Sequence, residues 1–288
     1  MKKLILLTLL PISVFSFSGI ESPWVSLLDP ELSQWDTYLS YRHQTNYNGN
    51  EPLDSKGNII EPIGLNPNGY DVFTVSEKEE VPTLKVSGKI YGCLISKKEY
   101  ENYHLKLKVK WGTKKWTPRK DKLKDSGILY HSIGPMGAEY WRSWMLSQEF
   151  QIMEGHMGDY WGQANSAIDI RAYMPEGVMN PVADPRPEFI GVGFGEQAGG
   201  YCMRSENAEK PHGEWNTLEL ICYDGKSLHL VNGKIVMILK KSRYFENGKS
   251  IPMTKGKIQI QSEAAEVFFK EINIRTLESL PEQYLRYF

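Results

Sequence analysis

Two carboxylates in one aromatic-rich segment are the side chains of this sequence best suited to chemistry. Glu149 and Glu154 lie between Trp144 and Trp161, and Gln151 follows Glu149 by two residues. On a β-strand, residues i and i+2 share a face, so Glu149 and Gln151 point the same way and their apolar neighbours point the other way. Two carboxyl groups on one face, one of them kept neutral by burial, suit acid/base chemistry at a glycosidic bond.

Glu154 follows Glu149 by five residues, and this odd offset places it on the opposite face of a regular strand. A one-residue bulge near Met153 restores a shared face, and bulges are frequent next to active sites. We therefore predict such a bulge, with Glu149 and Glu154 as the paired catalytic carboxylates. The alternative is that these residues lie on a solvated sheet face. The surrounding Trp and Tyr residues favour an enclosed pocket over that alternative.

Three nearby side chains are further candidates. His131 ends the run 125–131, and it lies beside Glu149 as acid, base or donor if that run pairs with 148–153. A lone histidine is more often structural. Trp161 and Tyr160 are suited to stacking on sugar rings, with core packing as the competing interpretation.

Gln151, Trp144, His156 and Asp159 are candidates for substrate binding. His156 and Asp159, together with Glu154, also offer the donors of a divalent metal site. Their spacing matches no specific metal-binding pattern, so the sequence does not decide whether a metal binds there.

The elements that must position these residues are β-strands. Asp224-Gly225 and Asn232-Gly233 separate runs of alternating hydrophobicity, which is a strong hairpin signal. Helical periodicity is nearly absent, so we predict an all-β antiparallel sandwich. Residues 175–215 are interrupted by Pro and Gly, and we interpret them as loops that frame a cleft. The predicted strands include 83–87, 104–111, 128–131, 149–152, 168–171, 215–223, 228–231, 235–239, 258–261 and 267–275.

Composition narrows the function classes. The chain of 288 residues has 34 Lys and Arg against 35 Asp and Glu, a formal net charge of −1 that argues against a nucleic-acid partner. Hydrophobic residues make up 41% of the chain, enough for a core, which argues against a disordered chain.

The N-terminus has the pattern of a secretory signal peptide. Lys2 and Lys3 precede a mostly apolar run, and Ser16-Phe17-Ser18 offers a small-x-small cleavage site. We predict a signal peptide over 1–18, a single domain over 19–288, and a periplasmic or extracellular location. Beyond the signal peptide, no apolar run reaches the length of a membrane span.

Three cysteines, Cys93, Cys202 and Cys222, are too few for a disulfide framework. A Cys202–Cys222 bridge and three buried thiols both stay open.

Several motifs in order are similar to the 3-keto-disaccharide hydrolase family, also known as DUF1080, which has a concanavalin A-like jelly-roll fold. The motifs are Ser126-Gly127-Ile128, Glu149-Phe150-Gln151-Ile152, Gly213-Glu214-Trp215-Asn216, His229-Leu230-Val231-Asn232-Gly233, Ile258-Gln259-Ile260-Gln261 and Phe269-Lys270-Glu271-Ile272-Asn273-Ile274-Arg275. The resemblance covers roughly residues 24–277.

The resemblance implies an exported enzyme that acts on glycosides already oxidised at C3. A C3 ketone acidifies the C2 proton, so a base removes that proton while the C1 aglycone leaves, and water then adds back. Glu149 and Gln151 match the family's Glu-x-Gln-Ile strand, and Glu154 is near its acidic follow-on. Arg142 is a candidate for recognising the enolate or a hydroxyl, by proximity alone.

The spacing Glu149-x-Gln151-x-x-Glu154 also resembles the Glu-x-Asp-x-x-Glu pattern of retaining β-glucanases, with Gln replacing the middle Asp. A β-glucanase-like glycosidase and a non-catalytic carbohydrate-binding sandwich therefore stay open as alternatives. In each case the expected partner is a carbohydrate.

Overall fold

The computed structural model describes residues 22–42, 52–76, 80–138 and 143–288. These residues form two antiparallel sheets that pack face to face, so the predicted all-β sandwich is confirmed. The predicted signal peptide lies outside the described residues. No helix among the described residues is long and apolar enough to cross a membrane.

The sheet that carries the candidate site, here called the front sheet, has nine strands among the described residues. They are β2 (Trp35–Arg42), β3 (Gly64–Leu65), β6 (Ile90–Ser96), β7 (Tyr100–Glu101), β9 (Asp125–Ile133), β10 (Leu146–Met153), β11 (Tyr160–Gln163), β15 (Tyr201–Cys202) and β20 (Lys255–Ser262). Their order across the sheet is β15-β11-β10-β9-β20-β6-β2-β3, with β7 beside β20.

The second sheet, here called the back sheet, has twelve strands within the same described ranges. They are β1 (Val25–Ser26), β4 (Phe73–Ser76), β5 (Thr83–Val86), β8 (Tyr103–Lys115), β12 (Ser166–Tyr173), β13 (Val182–Ala183), β14 (Phe189–Gly193), β16 (Asn216–Tyr223), β17 (Lys226–Val231), β18 (Lys234–Glu246), β19 (Lys249–Pro252) and β21 (Ala265–Thr276). A short helix, α1 (Glu282–Leu285), follows near the C-terminus.

Hairpin turns set the register where the sequence predicts them. Asp224 and Gly225 have φ of 48° and 68°, and Asn232 and Gly233 have φ of 50° and 81°. Two consecutive left-handed residues twist a two-residue turn in the sense of the flanking strands, and Asn and Gly adopt that conformation at low cost. These turns join β16 to β17 and β17 to β18.

The core lies between the two sheets. Phe150 and Ile152 of β10 point into it and are fully buried, together with Leu107 and Val109 from β8. The alternate residues of β10 therefore face the outer side of the front sheet. That outer side is also covered, because β10 is buried along almost its whole length.

The coverage of the outer side differs from one half of the front sheet to the other. Over β6 and β9, Trp144 and Met145 pack on Tyr91 and Leu129, and we call this cluster the apolar cap. Over β10 and β11 the same face is polar and encloses a hollow. The fold thus leaves one covered polar region beside a filled apolar one.

Candidate active site

A pocket of about 330 Å³ occupies the outer face of the front sheet beside the apolar cap. Strands β9, β10, β11 and β20 supply most of its wall, because they are neighbours in the sheet. The lining residues are Arg119, Asp125, Trp144, Glu149, Gln151, Trp161, Gly162, Gln163, Gln261 and Glu263. The wall therefore combines three carboxylates, one guanidinium, three amides and two tryptophans.

Glu149 lies in the middle of this face and is 2% exposed. Its carboxylate accepts a hydrogen bond from Nε2 of Gln163 on β11. Room for it depends on Gly127 of β9, since a Cβ there would overlap Oε1 of both Glu149 and Gln261. Glycine in the Ser126-Gly127-Ile128 motif is therefore explained sterically, because a side chain at position 127 would displace the carboxyl group of Glu149.

Arg119 joins two further carboxylates at one end of the pocket. Asp125 and Glu263 lie directly opposite each other across an antiparallel bridge. Like charges in that arrangement repel each other, and the Arg119 guanidinium pairs with both, at 2.7 Å from Oε1 of Glu263. With Glu149 included, three buried carboxyl groups share one cation. Because one positive charge does not balance three buried negative charges, at least one of the three carboxyl groups is favoured in its protonated form.

The electrostatics identify which groups hold protons. Burial, followed by repulsion from Glu263, raises the pKa of Glu149 to about 8. Burial, followed by Glu263, also raises the pKa of Asp125 well above its ordinary value, although Arg119 opposes this shift. Glu149 is therefore a carboxylic acid near neutral pH, which is the state needed to donate a proton to a leaving group.

Three of the lining residues carry a buried polar atom that has no partner in the described part of the chain. Oε1 of Gln151, Oε1 of Gln261 and Nε of Arg119 are buried without a hydrogen-bond partner among the described residues. Buried polar atoms are normally paired, so unpaired ones at a pocket indicate a ligand that supplies the missing partners. Two acceptors and one donor suit a molecule rich in hydroxyl groups with at least one acceptor oxygen.

The two tryptophans of the lining differ in exposure. Trp161 is 40% exposed, and Trp144 is 1% exposed within the apolar cap. Trp161 therefore has ring surface open at the pocket, and its stacking on a sugar ring stays a prediction. Trp144 lies in the pocket wall, but most of its ring packs within the apolar cap. Gln151 also lines the pocket, and its role in binding substrate stays a prediction.

Glu154 lies elsewhere, and the predicted bulge near Met153 was wrong. The register of β10 on β9 stays regular from Gln148 to Met153. The side chain of Glu154 therefore points to the opposite face from Glu149, as expected for a regular strand. It pairs with Lys124 at 3.3 Å and with His212 at 3.2 Å. Although burial opposes the shift, Lys124 lowers the pKa of Glu154, so the residue is an ionised partner in an ion pair outside the pocket lining.

His131 is on the paired strand, as predicted, but its side chain does not line the pocket. Its backbone is left-handed, with φ of 52°, at an irregularity where β9 meets β20. The ring packs edge-on against Tyr103 and Tyr130, and Nδ1 lies 3.5 Å from Oγ of Ser242. Burial lowers its pKa to about 3, so His131 is a neutral core residue.

Tyr160 also points into the core. It is fully buried, and its hydroxyl donates to Oε1 of Gln148 at 2.5 Å. The prediction that it stacks on sugar is therefore not supported, and core packing, the competing interpretation, describes its position.

His156 and Asp159 form a charged cluster beside the pocket. Nδ1 of His156 is 3.1 Å from Asp159, which also pairs with Arg204 at 3.0 Å. Glu154 is not in this cluster, and the described part of the chain contains no group of three His, Cys, Asp or Glu side chains that could hold a metal ion. Arg142 lies outside the described residues.

Sequence reasoning missed Arg119, Asp125, Glu263, Gln163 and Gln261. One signal was readable: Gln259, Gln261 and Glu263 alternate with Ile258 and Ile260, which is the pattern of a strand with one apolar and one polar face. The pairing of that strand beside β9 was not readable, because it joins residues far apart in the chain.

The three cysteines are free and buried. The pairing of Cys202 with Cys222 does not occur in this structure, and the alternative of buried apolar thiols describes all three.

Comparison with known proteins agrees with this picture. The profile of the 3-keto-alpha-glucoside-1,2-lyase-like domain matches residues 23–275. The chain belongs to this family. The match covers nearly all of the described residues and includes every residue of the pocket lining. A comparison with curated proteins finds no match.

Solved structures of similar fold include two proteins from Parabacteroides distasonis ATCC 8503, each described as a putative glycosyl hydrolase. One is 18% identical, with 88% of this chain and 100% of that chain covered and a TM-score of 0.47. The other is 19% identical, with 73% and 87% covered and a TM-score of 0.39. The β-glucanase of Bacillus licheniformis is 12% identical, with 91% and 100% covered and a TM-score of 0.37.

Proposed function

We propose that this member of the 3-keto-alpha-glucoside-1,2-lyase-like family cleaves glycosides that carry a ketone at C3, with Glu149 as the general acid. The observation that carries the proposal is the buried pocket in which Glu149 is protonated near neutral pH while Arg119 holds two further carboxylates. Ordinary glycosides lack the acidic C2 proton, so this elimination proceeds only on oxidised ones, even where both forms bind.

The proposed reaction assigns a role to each of these groups. The ionised member of the Asp125–Glu263 pair takes the C2 proton, and the electron pair left behind delocalises onto the C3 ketone oxygen. The guanidinium of Arg119, which lines the pocket, is the donor for that developing enolate. The C1–O bond then breaks, Glu149 protonates the departing oxygen, and a C1=C2 double bond conjugated with the ketone remains. Addition of water across that bond completes a net hydrolysis.

A raised pKa suits both roles. An acid with a pKa near the working pH keeps its proton and still transfers it readily. A carboxylate whose pKa is raised by burial is a stronger base once it is ionised, and removal of a proton from carbon requires a strong base.

A retaining mechanism of the β-glucanase type has less support. It needs two carboxyl groups about 5–5.5 Å apart on either side of the scissile bond. Of the two glutamates that its sequence pattern offers, only Glu149 lines the pocket, because Glu154 pairs with Lys124 and His212.

The test is an NMR time course on the purified protein with a 3-keto-disaccharide and its unoxidised parent in parallel. We expect cleavage of the keto form alone. Cleavage of the parent at a comparable rate would contradict the proposal and support an ordinary glycosidase. Binding of either sugar without cleavage, with and without a divalent metal, would support a carbohydrate-binding module instead.

We also propose that the protein is exported, with residues 1–18 removed. The support is the basic start, the apolar run and the Ser16-Phe17-Ser18 site. Mass spectrometry of the protein from the periplasm or medium should give an N-terminus at Gly19. Replacing Lys2 and Lys3 with Glu should retain the full-length chain in the cytoplasm, and secretion of that variant at the normal level would contradict the proposal.

A further inference from the structure

We infer that Tyr201 and Trp161 form a second sugar subsite beside the Glu149 pocket, and that the protein therefore acts at chain ends and not within chains. The subsite extends the proposed function, but its binding role can be measured without turnover. It rests on the register of three strands, on one buried aspartate and on the apolar cap.

The register aligns three side chains on the outer face of the front sheet. Glu149 lies opposite Trp161, and Trp161 lies opposite Tyr201. Neighbouring strands are about 4.8 Å apart, so Tyr201 stands roughly 10 Å from the strand of Glu149. The row runs outward from the acid to β15, the last strand at that edge of the sheet.

The two rings pack on each other at an angle. Their centroids are 4.6 Å apart, with an angle of 42° between the ring planes. Trp161 is 40% exposed, which is unusual beside a sheet face that is otherwise buried. An exposed ring beside a polar pocket, with a half-buried tyrosine packed against it, suits the apolar face of a second pyranose ring, because that face loses contact with water when it stacks.

A fully buried carboxylate fixes the outer ring. Asp159 accepts a hydrogen bond from the Tyr201 hydroxyl, and it also accepts the backbone N–H and Nη1 of Arg204. Burial, followed by the charge of Asp159, raises the pKa of Tyr201, so the hydroxyl remains a donor. Asp159 is outside the pocket lining and acts through Tyr201, so it is a positioning residue.

On the other side of Glu149 the row ends at the apolar cap. On β9, the strand on the other side of β10, Leu129 is the residue paired with Glu149. Leu129 is covered by the cluster that contains Trp144 and Met145. A chain that enters along Tyr201 and Trp161 therefore ends at the cap. The hollow of about 330 Å³ has room for one sugar ring there. These two limits predict one ring inside the pocket and the next ring on the tyrosine.

The experiment compares sugars of increasing length on the wild type and on Tyr201→Ala. Methyl α-glucoside, maltose and maltotriose serve as binding probes, followed by tryptophan fluorescence or NMR titration, and their 3-keto forms serve as substrates. We expect maltose to bind roughly tenfold more tightly than methyl α-glucoside, with little further gain for maltotriose. Tyr201→Ala should abolish the gain from the second ring and leave methyl α-glucoside within about twofold of wild type.

Matched variants separate the subsite from a structural effect. Tyr201→Phe keeps the ring but loses the hydrogen bond to Asp159, so it should keep part of the preference for maltose and lie between the wild type and Tyr201→Ala. Tyr173→Ala removes an exposed tyrosine on the back sheet and should change nothing. If Tyr201→Ala fails to fold, Tyr201→Val, which suits an edge strand, replaces it.

The outcomes are distinct from those of the proposed function. If no 3-keto sugar is cleaved, the proposed function fails, and the titrations with unoxidised sugars still test the subsite. Equal binding of methyl α-glucoside and maltose by the wild type would overturn the inference. So would a folded Tyr201→Ala protein that keeps the full preference, or a large further gain from maltotriose.

Discussion

The strands of both sheets alternate apolar and polar residues, but the pKa of a glutamate on the outer face shifts in opposite directions in the two sheets. On the back sheet, Glu219 pairs with His104 at 2.9 Å, and this hydrogen bond lowers its pKa despite partial burial. On the front sheet, Glu149 is covered by loops and lacks a cation of its own, so burial raises its pKa to about 8. A polar strand face is therefore a candidate for chemistry only where other parts of the chain cover it.

The largest expected effect separates these two glutamates. Glu149→Gln keeps the shape of the side chain and removes the transferable proton, so cleavage of a 3-keto-glycoside should fall by about 10²–10⁴-fold. Glu219→Gln should leave the rate unchanged, because that residue lies on the opposite sheet. Steady-state kinetics on both variants checks this, and equal losses would show that the loss at position 149 reflects folding.

The pH dependence of activity should show the same contrast. A general acid with a pKa of about 8 is protonated below that value, so the rate should fall about tenfold per pH unit above it. Glu219→Gln should keep this alkaline limb. A rate that rises steadily through pH 8 in the wild type would assign Glu149 the role of a base.

Stability should depend on pH through the same group. The pKa of Glu149 is about 8 in the folded chain, above the ordinary value of about 4.3 expected when unfolded. Its contribution to stability is therefore complete below about pH 4.3 and is lost as pH rises through about 8. Urea unfolding from pH 5 to 9 should show a smaller decline for Glu149→Gln than for the wild type, and identical declines would contradict the burial argument.

Two glycines offer a smaller and closely matched comparison. A Cβ at Gly127 would overlap Glu149, and a Cβ at Gly112 of the back sheet would overlap Glu266. Gly127→Ala and Gly112→Ala should each cost about 1–3 kcal/mol of unfolding free energy. Only Gly127→Ala should also slow cleavage, by roughly tenfold to a hundredfold, because it displaces the acid. Thermal unfolding and kinetics on the same samples distinguish the two effects.

The smallest expected effect is at Glu154. Glu154→Gln removes half of an ion pair with Lys124 outside the pocket lining, so the rate of cleavage should stay within about twofold of wild type. A loss as large as that of Glu149→Gln would restore the pairing of the two glutamates that the sequence spacing suggests.

Local patterns were sufficient for the sandwich fold and for four of the ten residues that line the pocket, Trp144, Glu149, Gln151 and Trp161. The period-2 alternation of β10 placed Glu149 and Gln151 on the face opposite Phe150, and the structure agrees. Asn-Gly and Asp-Gly located two hairpins, because those residues tolerate left-handed backbone.

The rest of the site depends on contacts between distant segments. Asp125 and Glu263 meet because β20 pairs with β9, and nothing in their local sequence encodes that pairing. Glu154 and His131 were misplaced for a related reason. A bulge and a left-handed residue each change the direction of a side chain, and spacing alone does not show where they occur.

The most direct test of the account follows the C2 proton of a 3-keto-glycoside in deuterated buffer. If Glu149 is the acid and the Asp125–Glu263 pair holds the base, Glu149→Gln should still exchange the C2 proton for deuterium, because proton removal does not need the acid. Release of the aglycone should be nearly abolished in the same sample. Loss of exchange and cleavage together, in a variant that folds like the wild type, would contradict the division of roles and make Glu149 the base.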